Sequence, residues 1–196
     1  MARQVFRFDL PDRFVAGTVG EPGQRTFYLQ ARDVDRLVSV ALEKEQVSVL
    51  AERLDALLDE VVRRTDGTAD VPAATPSEVD DLEPLEQPIV EEFRVGVLRL
   101  GWEGEGERVV VEAFAVREGL DEEADDSDVS DVSDEDDEDD GRDVLTVRLS
   151  GEAARAFVVR ARAVVSAGRP ACPLCAQPLD PGGHVCPRQN GFRRRG

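Results

Sequence analysis

The 196-residue chain has one histidine, three cysteines, one methionine, one tryptophan and one tyrosine, and its only lysine among 24 basic residues is Lys44. With a single imidazole, a Ser-His-Asp or Cys-His relay has just one possible base, His184. No run approaches the ~18 consecutive apolar residues of a membrane-spanning helix. Met1–Phe8 alternates polar and apolar residues and then meets Pro11, without the apolar segment of a secretory signal. The expected compartment is therefore the cytoplasm, with no membrane partner. Thiols stay reduced there, and clustered cysteines bind metal more often than they form disulfides.

Basic residues are also missing from Glu118 to Asp140, where fifteen residues are acidic. Without that tract the net charge of −18 falls to −3. The acidity is thus local, and the rest of the chain is nearly balanced. Self-repulsion and the scarcity of apolar side chains predict a disordered, solvated loop over 118–142. The Asp-x-Asp-x-x-Gly spacing of a calcium-binding loop does not occur in it.

Hydrophobic periodicity supplies the fold class. Period-two alternation and β-branched or aromatic enrichment predict strands at 4–9, 13–19, 26–31 and 37–42. The period then changes. Val47, Leu50, Ala51, Leu54, Leu57, Leu58, Val61 and Val62 recur at helical spacing, predicting a helix over 43–64 with Gly67 as its stop. Residues 65–88 are punctuated by Pro72, Pro76, Pro84 and Pro88 and read as a linker. Strands resume at 89–100, 108–117 and 144–149. A second helix follows over 151–167, with Ser150 as N-cap and Ala154, Phe157, Val158, Ala161 and Val165 on its apolar face. Each half reads βββα, and Phe14-Val15-Ala16-Gly17 resembles Phe93-Arg94-Val95-Gly96. The expectation is one α+β domain of duplicated βββα units with pseudo-twofold character. Its parts are a first half at 1–64 with an extra N-terminal strand, a linker at 65–88, a second half at 89–168, and a small tail at 169–196.

All three cysteines and the histidine lie in that tail, as Cys172-x-x-Cys175, then His184-x-Cys186. A Cys-x-x-Cys turn sets two thiolates at tetrahedral separation, and structural zinc needs four donors with no open position. Pro173, Pro178, Pro181, Gly182, Gly183 and Pro187 disfavour regular structure, so metal binding would supply the folding free energy of this tail. The expected cofactor is structural zinc held by Cys172, Cys175, His184 and Cys186, in a zinc-knuckle-like arrangement. The one-residue spacer in His184-x-Cys186 is tighter than usual. Two readings compete: a redox Cys-x-x-Cys, which requires a helix N-terminus after a strand, and catalytic zinc, which requires an open coordination position.

Other signals are weaker. Gly17, Gly20 and Gly23 with Arg25 suggest a phosphate cradle, but no helix opens after them, and a hairpin turn is the simpler reading. Lys44 sits near a helix start, where a cation is unfavourable unless it meets an anion. Arg188, Asn190 and Phe192 flank the Cys/His cluster and complete a possible binding surface with Arg25 and Lys44. No catalytic residue is assigned.

The stretch Arg13-Phe14-Val15-Ala16-Gly17-Thr18-Val19-Gly20-Glu21-Pro22-Gly23-Gln24-Arg25, the element Ala41-Leu42-Glu43-Lys44 and the Cys172–Gly191 ending occur together. In these the chain resembles an actinobacterial family of uncharacterised proteins, a domain of unknown function. The likeness omits only the linker and the acidic tract. It implies a cytoplasmic bacterial setting and a Cys/His tail integral to the protein, and it carries no activity.

The functional expectation is a non-enzymatic interaction or adaptor protein with a protein partner. One alternative is a nucleic-acid-associated protein using the tail and Arg193–Arg195. The other is an enzyme with a pocket between the halves, lined by Arg25, Lys44 or Arg148.

Overall fold

Strand β1 (Val5–Asp9) is joined to β2 (Arg13–Val19) by three residues, yet the two lie at opposite ends of the sheet. The computed structural model describes residues 3–21, 23–73, 81, 83–117, 129–131, 141–167, 174, 186 and 188. After β2 come β3 (Thr26–Asp33), β4 (Arg36–Leu42) and α1 (Lys44–Arg64). Next are β5 (Glu91–Glu103), β6 (Arg108–Ala115), β7 (Val129–Asp131), β8 (Val144–Leu149) and α2 (Gly151–Ser166). The sheet runs β1-β8-β6-β5-β4-β3-β2, with β7 paired to β5 off this path. Seven strands laid flat would separate β1 from β2 by about 29 Å. A connection of this length spans at most about 14 Å. The sheet must therefore curl until its two ends approach. Arg36, just after the β3–β4 turn, indeed donates to the Arg7 carbonyl on β1 and lies over the Phe8 ring at 3.9 Å.

The fold is mixed α+β. Antiparallel pairing runs through β2-β3-β4 and through β5-β6-β8, while β4–β5 and β1–β8 are parallel. The two runs meet at β4 with β5, the last strand of one against the first of the next.

A single hydrophobic core draws on both helices and on the inner face of the sheet. Phe14 and Ala16 of β2, Leu29 and Ala31 of β3, and Val38, Val40 and Leu42 of β4 follow the period of two that puts alternate residues on one face. On β5 the core residues are Phe93 and Val95, then Leu98 and Leu100. The change of phase is a bulge, since the register with β6 shifts between Val95 and Val97. Gly96 permits it: a Cβ there would lie 2.9 Å from Val116 Cα. Gln46 at the start of α1 donates to the Val95 carbonyl at 3.2 Å, and its Oε1 accepts from the Glu43 amide at 2.8 Å.

The helices pack on one another through charge as well as oil. Arg155 of α2 is buried, and its guanidinium meets Asp55 and, at 2.5 Å, Asp59 of α1. Its Nε also donates to the Pro72 carbonyl at 3.2 Å. Ser150 caps α2, its Oγ accepting from the Ala153 amide at 3.1 Å.

Two low-complexity segments carry more structure than their composition predicts. In the 65–88 connection, Ala69, Val71 and Leu85 are buried. Within the acidic tract, Val129–Asp131 form β7, parallel to Leu98–Leu100 of β5. The pairing of β4 with β5 is confined to Glu91 and Arg94, which leaves that edge of β5 open further along for β7.

Candidate functional site

The outer face of β2 and β3 is polar where a sheet buried on one side should be polar, but it is not solvated. Arg13, Val15 and Gly17 share that face with their cross-strand partners Arg32, Gln30 and Tyr28. Residues 81 and 83–88 cross it as a strap without regular structure. Eight side-chain hydrogen bonds donated from the sheet and α2 to the strap's backbone and to Asp81 hold it down.

Arg13 forms a fork with Asp81, Nε to Oδ2 at 2.5 Å and Nη2 to Oδ1 at 2.9 Å. The same guanidinium donates to the Glu83 carbonyl at 2.9 Å and the Pro84 carbonyl at 3.2 Å. Gln30 exchanges two hydrogen bonds with one strap residue. Its Nε2 donates to the Glu86 carbonyl at 3.0 Å, and its Oε1 accepts from the Glu86 amide at 2.8 Å. Nε2 also lies 3.1 Å from the Ser39 hydroxyl. Arg32 Nε stands 2.8 Å from Glu86 Oε1. Leu85 fits where residue 17 has no side chain: a Cβ on Gly17 would be 2.5 Å from Leu85 Cγ.

Arg160 enters from α2. It is 7 % exposed, and its Nε donates to the Ala16 carbonyl of the edge strand β2 at 2.8 Å. Nη1 donates to the Asp81 carbonyl, with Asp81 Oδ1 at 3.1 Å, and Nη2 to the Glu83 carbonyl at 2.6 Å. One guanidinium thus bridges backbone carbonyls from two chain segments.

The electrostatics follow from this geometry. The hydrogen bond from Arg13 holds the Asp81 carboxyl below its ordinary value, with Arg160 contributing and burial opposing. Asp81 in turn raises Arg13. Burial presses Arg160 down, Arg13 adds to that, and Asp81 offsets part of it. An arginine stays protonated regardless, so the cluster is a fixed set of charges and not a proton relay.

The residues singled out in the sequence are placed as follows. Arg25 Nη1 donates to the carbonyl of Ala167, the C-cap of α2, at 2.8 Å, where a cation complements the helix dipole. Lys44 is exposed on the first residue of α1. Arg148 Nε lies 3.5 Å from Glu103 Oε2. These three lie in different parts of the fold: Arg25 just before β3, Lys44 on α1 and Arg148 on β8. Cys172, Cys175, His184, Asn190 and Phe192 lie outside the described residues. Cys186 is 3 % exposed, whereas Leu174 and Arg188 are exposed. Among the described residues no group of three or more His, Cys, Asp or Glu is placed to hold a metal ion.

The strap cluster was missed in the sequence because its partners are far apart in the chain, Gln30 and Glu86 by 56 positions and Arg160 and Ala16 by 144. One local signal was present. Arg160 falls between Phe157, Val158 and Ala161 on the apolar stripe of α2, where a charge needs a buried partner.

No helix among the described residues is long and apolar enough to cross a membrane. One family model, described as a protein of unknown function (DUF3090), matches residues 6–186. No curated protein matches, and no solved structure matches.

Proposed function

The chain belongs to this DUF3090 family of unknown function, and from that membership we propose a non-enzymatic interaction protein whose α+β domain carries a structural zinc in its C-terminal tail. The observation that carries the reading is the burial of Cys186 in a proline- and glycine-rich segment whose other described residues, Leu174 and Arg188, are exposed. Such a segment has little apolar surface with which to bury a thiol, and a closed metal site does so readily. The zinc would be held by Cys172, Cys175, His184 and Cys186. Three thiolates and a neutral imidazole leave it a net −1 and no open position, a poor Lewis acid suited to shaping a surface. The family match ends at Cys186, so the matched span takes in all four donors.

The domain supports the same reading. Arg25, offered above for a phosphate pocket, caps α2, and Arg13 and Arg160 hold the strap. The repeated order β2-β3-β4-α1 and β5-β6-β8-α2 is consistent with duplication of one unit, joined head to tail. In this reading the protein works in the cytoplasm of a bacterium, where its thiols stay reduced.

Elemental analysis of the purified full chain tests the metal: about one zinc per chain is expected, reduced in Cys175→Ser. A metal-free wild type with a Cys172–Cys175 disulfide overturns it. The interaction role predicts a partner retained by the wild type and lost on Cys175→Ser. Retention by both proteins would remove the tail from the interface.

A further inference from the structure

The strap is bound the way a peptide is bound. Two of the side chains that hold it are also tied to the domain: Arg160 is anchored to the Ala16 carbonyl, and Gln30 lies against Ser39. What the strap offers is generic: the carbonyls of residues 81, 83, 84 and 86, one amide, two carboxylates and one leucine. The Gln30 amide reads both polar groups of Glu86, as a neighbouring strand would. Gly17 opens a seat for the leucine. Arg13 reads Asp81 by a fork that a lysine cannot reproduce. Charge is complementary, since Asp81, Glu83 and Glu86 face Arg13, Arg32 and Arg160.

We infer that this face of β2 and β3 is a receptor for an extended acidic segment of another protein, with aspartate, a leucine four residues later and glutamate next, and that residues 81 and 83–86 are its resident occupant. None of the contacts requires that the occupant be covalently continuous with the domain. Continuity gives the resident segment a high effective concentration, so a partner binds only where it competes or where the strap is weakened. The donors are set before the ligand arrives, which lowers the ordering cost of binding. The site is distinct from the tail and does not depend on the zinc reading; a metal-free tail would leave it intact.

The test uses the full chain with a weakened strap, Asp81→Ala, Leu85→Ala and Glu86→Ala together. The probe is a synthetic eight-residue peptide with the sequence of residues 81–88, followed by calorimetry. Saturable one-to-one binding is expected. It should weaken by about tenfold or more when the peptide's first residue becomes asparagine or its fifth becomes alanine. Adding Gly17→Val to the protein should abolish it. Absence of saturation at millimolar peptide overturns the inference, as does equal binding of a scrambled peptide. If the triple variant fails to fold, the same peptide is added during thermal melting. Recovery of the folded signal supports the inference by linkage, and no recovery overturns it. A strap that exchanges only between copies of this chain, seen as a wild-type dimer by light scattering with no peptide binding, assigns the face to self-association and overturns it too.

Discussion

Arg160 of α2 donates through Nε to the carbonyl of Ala16 on β2 at 2.8 Å, closing a contact between residues 144 positions apart. Edge strands expose unpaired carbonyls, and here a helix covers one with a buried cation.

Removing that cation should be costly. Arg160→Leu leaves the carbonyls of Ala16 and Asp81 without this donor, the Glu83 carbonyl with Arg13 alone, and Asp81 without one of its two arginines. A loss of about 3 kcal/mol is expected in urea melts. Arg160→Lys should recover less than half of it, because an ammonium cannot reach both chain segments in one plane. A loss under about 0.5 kcal/mol would show that the arginine only covers surface.

Acid should release the strap before it unfolds the domain. The Asp81 carboxyl is held below its ordinary value, so the folded state binds its proton less readily than the unfolded state does. Its contribution is complete above the unfolded value of about 3.9 and is lost as pH falls through the lower folded value. The stability difference between wild type and Asp81→Asn should therefore be constant from about pH 5 upward and shrink below about pH 4. A difference that persists unchanged into that acid range would contradict the assignment.

Gly17→Val should lift the strap locally. The added side chain would occupy the position of Leu85, which is backed by the sheet and cannot move inward. Hydrogen exchange at the Glu86 amide, now protected by Gln30 Oε1, should speed up, with a cost of about 1–3 kcal/mol. Protection unchanged from wild type would mean that the leucine seat is not what locates the strap.

Val34→Asn should stabilise the protein. Val34 begins the two-residue loop between paired Asp33 and Arg36, has φ +43° and is 76 % exposed. A β-branched residue is strained there, and asparagine is not. Little burial is lost. A gain of about 1 kcal/mol is expected by thermal melting, and a loss would refute the strain. The loop amide donates to Asp12 Oδ2 at 3.0 Å, which explains how the conformation is held.

The elements themselves were largely legible. Arg13–Val19 and Val144–Leu149 have the expected limits, and α1 begins one residue later than expected. Period-two and helical stripes are local, so they survive in the sequence. The order of strands is not local. Nothing in Val5–Asp9 says that it pairs with β8 and not with β2. The strap was legible only as a prolined linker, because its stability comes from arginines on β2 and α2 that local pattern cannot associate with it. The bulge at Val95–Val97 was hidden for the opposite reason. Both phases of β5 are apolar, so the alternation does not reveal where it changes. Of the four zinc donors expected from their clustering, only Cys186 lies within the described residues.

The parallel pairing of β1 with β8 also sets a timetable. Strand β1 pairs with β8, Phe8 lying opposite Val147 far along the chain. At about 5–20 residues per second, Phe6 and Phe8 wait roughly ten seconds for their partner to be made. During that interval the nascent chain carries an unpaired aromatic strand. Closure of the sheet thus waits for β8, and a chaperone meeting the chain before then would find β1 without its partner.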